Sequence, residues 1–356
     1  MTGSYHTYSQ GLHEKYGEVV RIGYNQVSVS NLAELKRILS THDFRKGSLY
    51  ENMNRWETTV ITTIPEVNKI RRRQLGNAYS MPCIRSYEDK ILQHGVLSVI
   101  SLWDSHLKRA TDSGKKAQVS VNYYYDFHSI SFDIIGVLGF GNSFNILSSG
   151  DTSIINMVRN GLTREVVQSF IPLLEKLLHC LGIQKNSRSG LVSMTTKAIL
   201  ERMDSKERHM DILQRLVDAH DPLSGKRMDV KTVAKDLALL LIVGTDTTSN
   251  TLSWIILYLL HNTAIYKRLK KEVRSAFPDR GTIIRYDMAR IMLPFMTAVI
   301  YESMRLHTIV SGYLPRRVPE SGAEIMSGEY FVPPGSEICI SLYACHRNPR
   351  IWKNPN

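Results

Sequence analysis

From Leu237 to Leu260 the chain runs for 24 residues with a single charged side chain, Asp246. A stretch that long and apolar either crosses a membrane or lies in the middle of a large core. Its length permits a span, but its centre argues against one. Gly244-Thr245-Asp246-Thr247-Thr248-Ser249 would place a carboxylate and several hydroxyls at mid-depth, and the carboxylate alone would cost about 3 kcal/mol there. Lys231, Lys235 and Asp236 precede the stretch, and Lys267 and Arg268 lie beyond it. The pattern therefore predicts a helix from Val230 to about Leu260, buried on all sides within a large soluble domain.

A buried Asp-Thr pair has two readings. In one, Thr247 and Thr248 donate back to the carbonyls of Val243 and Gly244, as threonines inside helices do, and Asp246 takes a salt bridge. In the other, Gly244 and the threonines loosen one helical turn. Water then fills the gap, and Asp246 and Thr247 pass protons into a pocket, provided their hydrogen bonds are supplied.

The rest of the chain reads as a helical body with small sheets at both ends. Val19 to Val29 is a hairpin with Gly23-Tyr24-Asn25 at its turn. Helices are expected from Asn31 to Ser40, over 67–80, 83–109, 122–139, 150–182 (broken near Pro172), 193–220, 264–276 and 285–307. Ile91, Val96, Val99, Ile100 and Trp103 are candidate inward positions. Ser105 to Gln118 and 183–192 read as polar connections. After Pro315 short β-type runs alternate with turns. The four cysteines have no metal-site spacing and read as reduced core residues. The polar amino end has no apolar leader. Net charge is +12, compatible with nucleic acid, an anionic membrane or an acidic protein partner. Lys69, Arg71, Arg72 and Arg73 carry no aromatic stacking pattern, so no nucleic-acid partner is expected.

A second motif gains its weight from its place in an ordered series. Glu302 and Arg305 are three apart and share one helix face. Leu314-Pro315-Arg316-Arg317-Val318-Pro319, Val332-Pro333-Pro334-Gly335 and Tyr343-Ala344-Cys345-His346-Arg347-Asn348-Pro349 succeed them in order. With Val243-Gly244-Thr245-Asp246-Thr247-Thr248-Ser249, this set resembles the cytochrome P450 family, in the phrasing of fungal microsomal members of secondary metabolism. Arg71 to Ser80 resembles the family's basic C-helix segment, His13 to Ile22 its first sheet and Asp133 to Gly141 its E-helix region.

The resemblance implies a mainly α fold with small β-sheets, one domain over 1–356. Its helical body covers about 31–310, and β elements cover about 18–30 and 315–343. It also implies a haem-thiolate monooxygenase that inserts one oxygen atom of O2 into an apolar organic substrate. The cofactor would be haem b. Electrons would come from NADPH through NADPH–cytochrome P450 reductase. Asp246 and Thr247 fall on the family's catalytic acid–alcohol pair. Glu302 and Arg305 fall on its structural E-x-x-R pair. Arg72 and Arg316 fall on its haem-propionate clamps, with Arg317 a competitor to Arg316. Val243 and Gly244 fall on the oxygen-site wall.

The chain departs from the family pattern at several points. Val243 stands where a small residue is usual, and it would narrow the oxygen site. Asn68 stands where Trp or His is common, four residues before Arg72. The family's cysteine loop, of the form F-x-x-G-x-R-x-C-x-G, lies beyond the segment ending at Asn356. No residue is therefore assigned as a metal ligand, and neither Cys339 nor Cys345 matches a ligand motif. The chain is expected to be truncated before that loop, incomplete at its carboxyl end and without the amino-terminal anchor. The alternative function is a catalytically incomplete fragment or pseudoenzyme without native haem ligation. Endoplasmic-reticulum membrane association is expected of a full-length form only, and a cytoplasmic location of this chain as it stands. Substrate contacts are expected after Pro65, near 150–185, on the 237–252 helix and from Ile309 to Leu314.

Overall fold

The computed structural model describes residues 4–41, 43–53, 58–113, 118–170, 180 and 187–355. In chain order the principal elements begin with α1 (Tyr5–Tyr16), β1 (Val19–Gly23), β2 (Gln26–Val29), α2 (Leu32–Ser40), β3 (Arg45–Lys46) and α3 (Pro65–Leu75). Next come α4 (Ser98–Asp112), α5 (Tyr123–Phe140), α6 (Ser153–Phe170), α7 (Ser187–Asp204), α8 (Val230–His261), α9 (Thr263–Ala276) and α10 (Pro294–Leu306). The chain then enters β4 (Pro315–Arg317), β5 (Ala323–Ile325), β6 (Tyr330–Val332) and β7 (Glu337–Ile340). By contacts it divides into two compact units.

The first unit holds the two ends of the chain, 1–69 and 298–356, with 168–172. Its sheet has the order β1-β2-β7-β4-β3. The amino-terminal hairpin pairs Val19 with Val29, and β2 runs parallel to β7 with Val29 opposite Ile340. The alternating valines and isoleucines of β2 and β7 bury Val29, Ile338 and Ile340 against Ile38, Phe44, Val318 and Ile325. Asn31 starts α2 as its cap, its Oδ1 accepting from the Ala33 and Glu34 amides. Glu337 is buried, which would raise its carboxyl pKa. Donors from Ser48, Tyr313 and Gln26 outweigh that and hold it below the usual range.

The expected incompleteness at the carboxyl end is corrected here. The final strand β7 is not a loose edge. It lies inside the five-stranded sheet, between β2 and β4. The residues after it are tied down as well: the carbonyls of His346, Asn354 and Pro355 all accept hydrogen bonds from Arg305.

The second unit, 70–167 and 173–297, is helical. Its core joins Leu75, Tyr87, Leu138, Ile199, Leu213, Leu216, Val233 and Leu237. The long helix α8 packs along α5 and α7, and Gly244 permits close approach. A Cβ there would sit 2.8 Å from Ile135 Cδ1. The helix is not buried on all sides as its composition suggests. Leu237, Leu241 and Thr245 are sealed, while Val243, Asp246 and Thr248 are exposed or partly so. No helix among the described residues is long and apolar enough to cross a membrane.

Other expectations shift for local reasons. Ser105 to Asp112 is not a linker but the end of α4. Residues 187–192, expected as loop, open α7. The break near Pro172 lies outside the described residues. Of the candidate inward positions only Val99 is fully buried, and Val96 and Ile100 are 45% and 46% exposed. The cause is a π-turn at Leu92–Leu97. Its wider turn rotates the next helical face away from the phase of a regular helix. Gly95 lies in this turn, and a Cβ there would meet Ile134 Cδ1 at 2.6 Å.

Candidate functional site

Helix α8 presents the Asp-Thr segment without a break in its ladder. Instead of a water-filled gap, a series of hydroxyls bonds back along the helix. Thr245 Oγ1 donates to Leu241 O at 2.7 Å, Thr247 Oγ1 to Val243 O at 2.6 Å and Thr251 Oγ1 to Thr247 O at 2.8 Å. This is the first of the two sequence readings for Thr247. Because its proton is committed to a carbonyl, the Thr247 oxygen keeps its lone pairs as acceptors.

Asp246 faces out of this helix, its side chain 55% exposed, with Oδ1 3.6 Å from His128 Nε2. That separation is longer than a hydrogen bond, and the contact is ionic only when the ring is protonated. Asn250 Nδ2 donates to the same Oδ1 at 3.2 Å. The His128 ring holds the Asp246 carboxyl below the usual carboxylate range, against the opposing effect of partial burial, and Asn250 and Arg159 act in the same direction as His128. His128, on α5, was not singled out from the sequence, where a lone histidine in an apolar helix carries no signal.

Glu302 and Arg305 meet on α10 as their spacing implies. Arg305 Nε donates to Glu302 Oε2 at 2.8 Å and Nη2 to Oε1 at 2.7 Å, a two-pronged pair. The same guanidinium bonds three carbonyls. Nη1 reaches His346 O and, at 2.9 Å, Pro355 O, and Nη2 reaches Asn354 O at 3.1 Å. Trp352 lies against it at 4.9 Å, its own indole donating to Cys345 O. The sequence signalled the pair but not the three carbonyls.

The candidate anion-binding arginines also differ in their surroundings. Arg316, half-buried on β4, donates only to the adjacent Pro315 carbonyl among the described residues and lies over the Tyr50 ring at 5.3 Å. Arg317 is paired with Glu51 at 3.0 Å. On α3, Arg72 is exposed and makes no hydrogen bond or ion pair among the described residues. Asn68 donates to Thr59 O at 2.6 Å.

Arg73 is not part of a solvated basic face. It grips Asp221 through two bonds, at 2.7 and 3.0 Å. This holds the Asp221 carboxyl far below its ordinary range. A carboxylate with a depressed folded pKa stabilises the fold above its unfolded value, about 4, and the contribution is lost as pH falls through the folded value. Arg73→Gln is therefore expected to move the acid-unfolding midpoint upward, read by circular dichroism. An unchanged midpoint would refute the link.

The described cysteines in the two cores are structural. Cys339 and Cys345 are buried, and burial pushes both thiols up to about 12. Cys83 is buried and donates to Ala78 O. Among the described residues no group of three or more His, Cys, Asp or Glu is set to hold a metal ion. Arg72 and Arg316, each taken by itself, keep guanidinium donors of the kind that suits a carboxylate such as a haem propionate. Burial raises the Cys339 and Cys345 thiols well above their ordinary range, so neither fits the iron.

The cytochrome P450 family model matches residues 1–356. Cytochrome P450 monooxygenase helB1 of Aspergillus fumigatus is 30% identical over 96% of this chain, and helB3 of the same organism is 27% identical over 100%. The chain spans 59% of the length of helB1 and 70% of helB3. The crystal structure of the cytochrome P450DA heme domain superposes with a TM-score of 0.81 at 17% identity, over 98% of this chain and 75% of that one. The chain belongs to the cytochrome P450 family, whose members are haem-thiolate monooxygenases. The expectation of a truncated fragment is corrected by the same matches, which run through this chain from end to end rather than failing toward its carboxyl side.

Proposed function

We propose that residues 1–356, taken as one family domain, belong to a monooxygenase that inserts one oxygen atom of O2 into an apolar organic substrate. Electrons would come from NADPH through NADPH–cytochrome P450 reductase at the endoplasmic reticulum. The observation that carries this reading is Asp246, its carboxyl held below the usual range, beside Thr247 on the partly open side of α8. Haem b, when bound, supplies the oxygen-activating iron chemistry. Arg72 and Arg316 would hold its propionates, and the pairing of Arg317 with Glu51 favours Arg316 for that role. Glu302 and Arg305 would fix the segment after β7. Val243 and Gly244 would form the wall beside the reacting centre. Asp246 would exchange protons with solvent, and Thr247 would accept a hydrogen bond through its free lone pairs.

Two measurements test this. The whole protein that contains residues 1–356, loaded with haem and reduced under carbon monoxide, is expected to show a thiolate-type band; its absence would sink native ligation. Arg316→Ala is expected to weaken haem retention about tenfold, the scale of one charge-assisted hydrogen bond, and Arg317→Ala to leave it within about twofold. Equal effects in a Soret titration would refute the choice between them.

A further inference from the structure

The charge on Asp246 is decided by the groups that face it. His128 is buried, 6% exposed, on α5. Its Nδ1 lies 3.1 Å from the Tyr124 carbonyl oxygen. A carbonyl only accepts, so Nδ1 carries a proton. Its Nε2 lies 3.6 Å from Asp246 Oδ1. A bare Nε2 would set a lone pair against a carboxylate, whereas a protonated one makes the contact attractive. The Tyr124 ring, 4.5 Å from the imidazole centre and tilted by 46°, offers a surface suited to a cation. The other groups acting on Asp246 are Arg159, on α6, and the Asn250 amide, one turn along α8.

We propose that His128 is a positioning residue for Asp246: an imidazolium, protonated on both nitrogens, that steadies the carboxylate and returns protons to it from Nε2. This rests on the proton-exchange role of Asp246. In the step, the Nε2–H bond breaks and an Oδ1–H bond forms. The ring becomes neutral and keeps its Nδ1–H and its bond to the Tyr124 carbonyl. Only Nε2 can release its proton without losing that bond. Asp246 passes that proton on, takes up another from bulk solvent on its exposed side, and hands it back to Nε2. Transfer requires the two atoms to close from 3.6 Å to about 2.8 Å.

The test uses the full chain labelled with 15N in its histidine rings. There are 12 histidines, so His128 is assigned by the signal missing from His128→Gln. Both ring nitrogens are expected to be protonated at neutral pH. In Asp246→Asn, whose side chain lies on the open side of α8, Nε2 is expected to lose its proton. A bare Nε2 in the unsubstituted chain, or a ring that Asp246→Asn leaves unchanged, overturns the proposal. In the whole haem-loaded protein that contains this chain, His128→Gln is expected to lower NADPH-driven oxygen consumption about tenfold and to displace its pH profile. Full activity in His128→Gln alone overturns the positioning role. Full activity in Asp246→Asn as well shows that the underlying role of Asp246 has failed.

Discussion

Arg305→Ala is expected to destabilise the first unit by about 3 kcal/mol, toward the lower end of the cost of breaking a buried ion pair. The cost is held down by Glu302, whose side chain is 52% exposed and can rehydrate, while Arg305 is only 5% exposed. His346, Asn354 and Pro355 would each lose a charged donor, and the segment after β7 would lose its tie to α10. Glu302→Ala should cost distinctly less, because it removes one partner of the guanidinium and leaves the carbonyl bonds standing. Arg305→Lys should recover only part of the loss, since an ammonium cannot make the forked pair and the carbonyl bonds together. Part of the effect depends on pH. Arg305 holds the Glu302 carboxyl below its usual range, so its share is present above about pH 4 and fades on acidification. Urea unfolding of the three variants checks the order. If Glu302→Ala proved as costly as Arg305→Ala, the carbonyl bonds would not be the main contribution.

That contrast shows how far the sequence was legible. The E-x-x-R spacing places Glu302 and Arg305 on one helix face by simple periodicity. The carbonyls they serve lie some 40 to 50 residues further on, in a segment whose backbone path no side-chain pattern announces. The same divide runs through the second unit. Thr247 bonds to Val243, four residues back, and was foreseeable because the partner is local. Asp246 meets His128 across two helices, and Arg73 meets Asp221 across a long connection, and neither partner was identified. Long helices were read well, because α5, α8 and α9 each sustain a pattern over several turns. The face of α4 was misjudged because a π-turn just before it changes the phase without marking the composition. The truncation was inferred from a motif that does not occur in the chain, whereas the family match rests on the whole sequence.

Arg202→Met is expected to be the other costly substitution, about 3–5 kcal/mol, because both partners of its ion pair are buried. Arg202 Nη1 lies 2.7 Å from Asp211 Oδ1, with the side chains 7% and 1% exposed. Asp211 has little else. Its Oδ1 caps the Ile212–Val217 helix through the Gln214 amide, and its Oδ2 has no hydrogen-bond partner among the described residues. Removing the guanidinium therefore strands a carboxylate in the core. The double substitution Arg202→Met with Asp211→Leu removes both charges and should cost far less, about 1 kcal/mol, chiefly for the lost cap. Urea unfolding of the singles and the double checks this. Additive losses would mean that the two side chains act independently. The pair also bears on the candidate site. Gly141 ends α5 at φ +83°, and a Cβ there would lie 2.8 Å from Arg202 Nη2. The ion pair thus packs against the end of the helix that carries His128 toward Asp246. A loosened end of α5 should therefore disturb the His128 ring signal in Arg202→Met at denaturant concentrations where the fold persists.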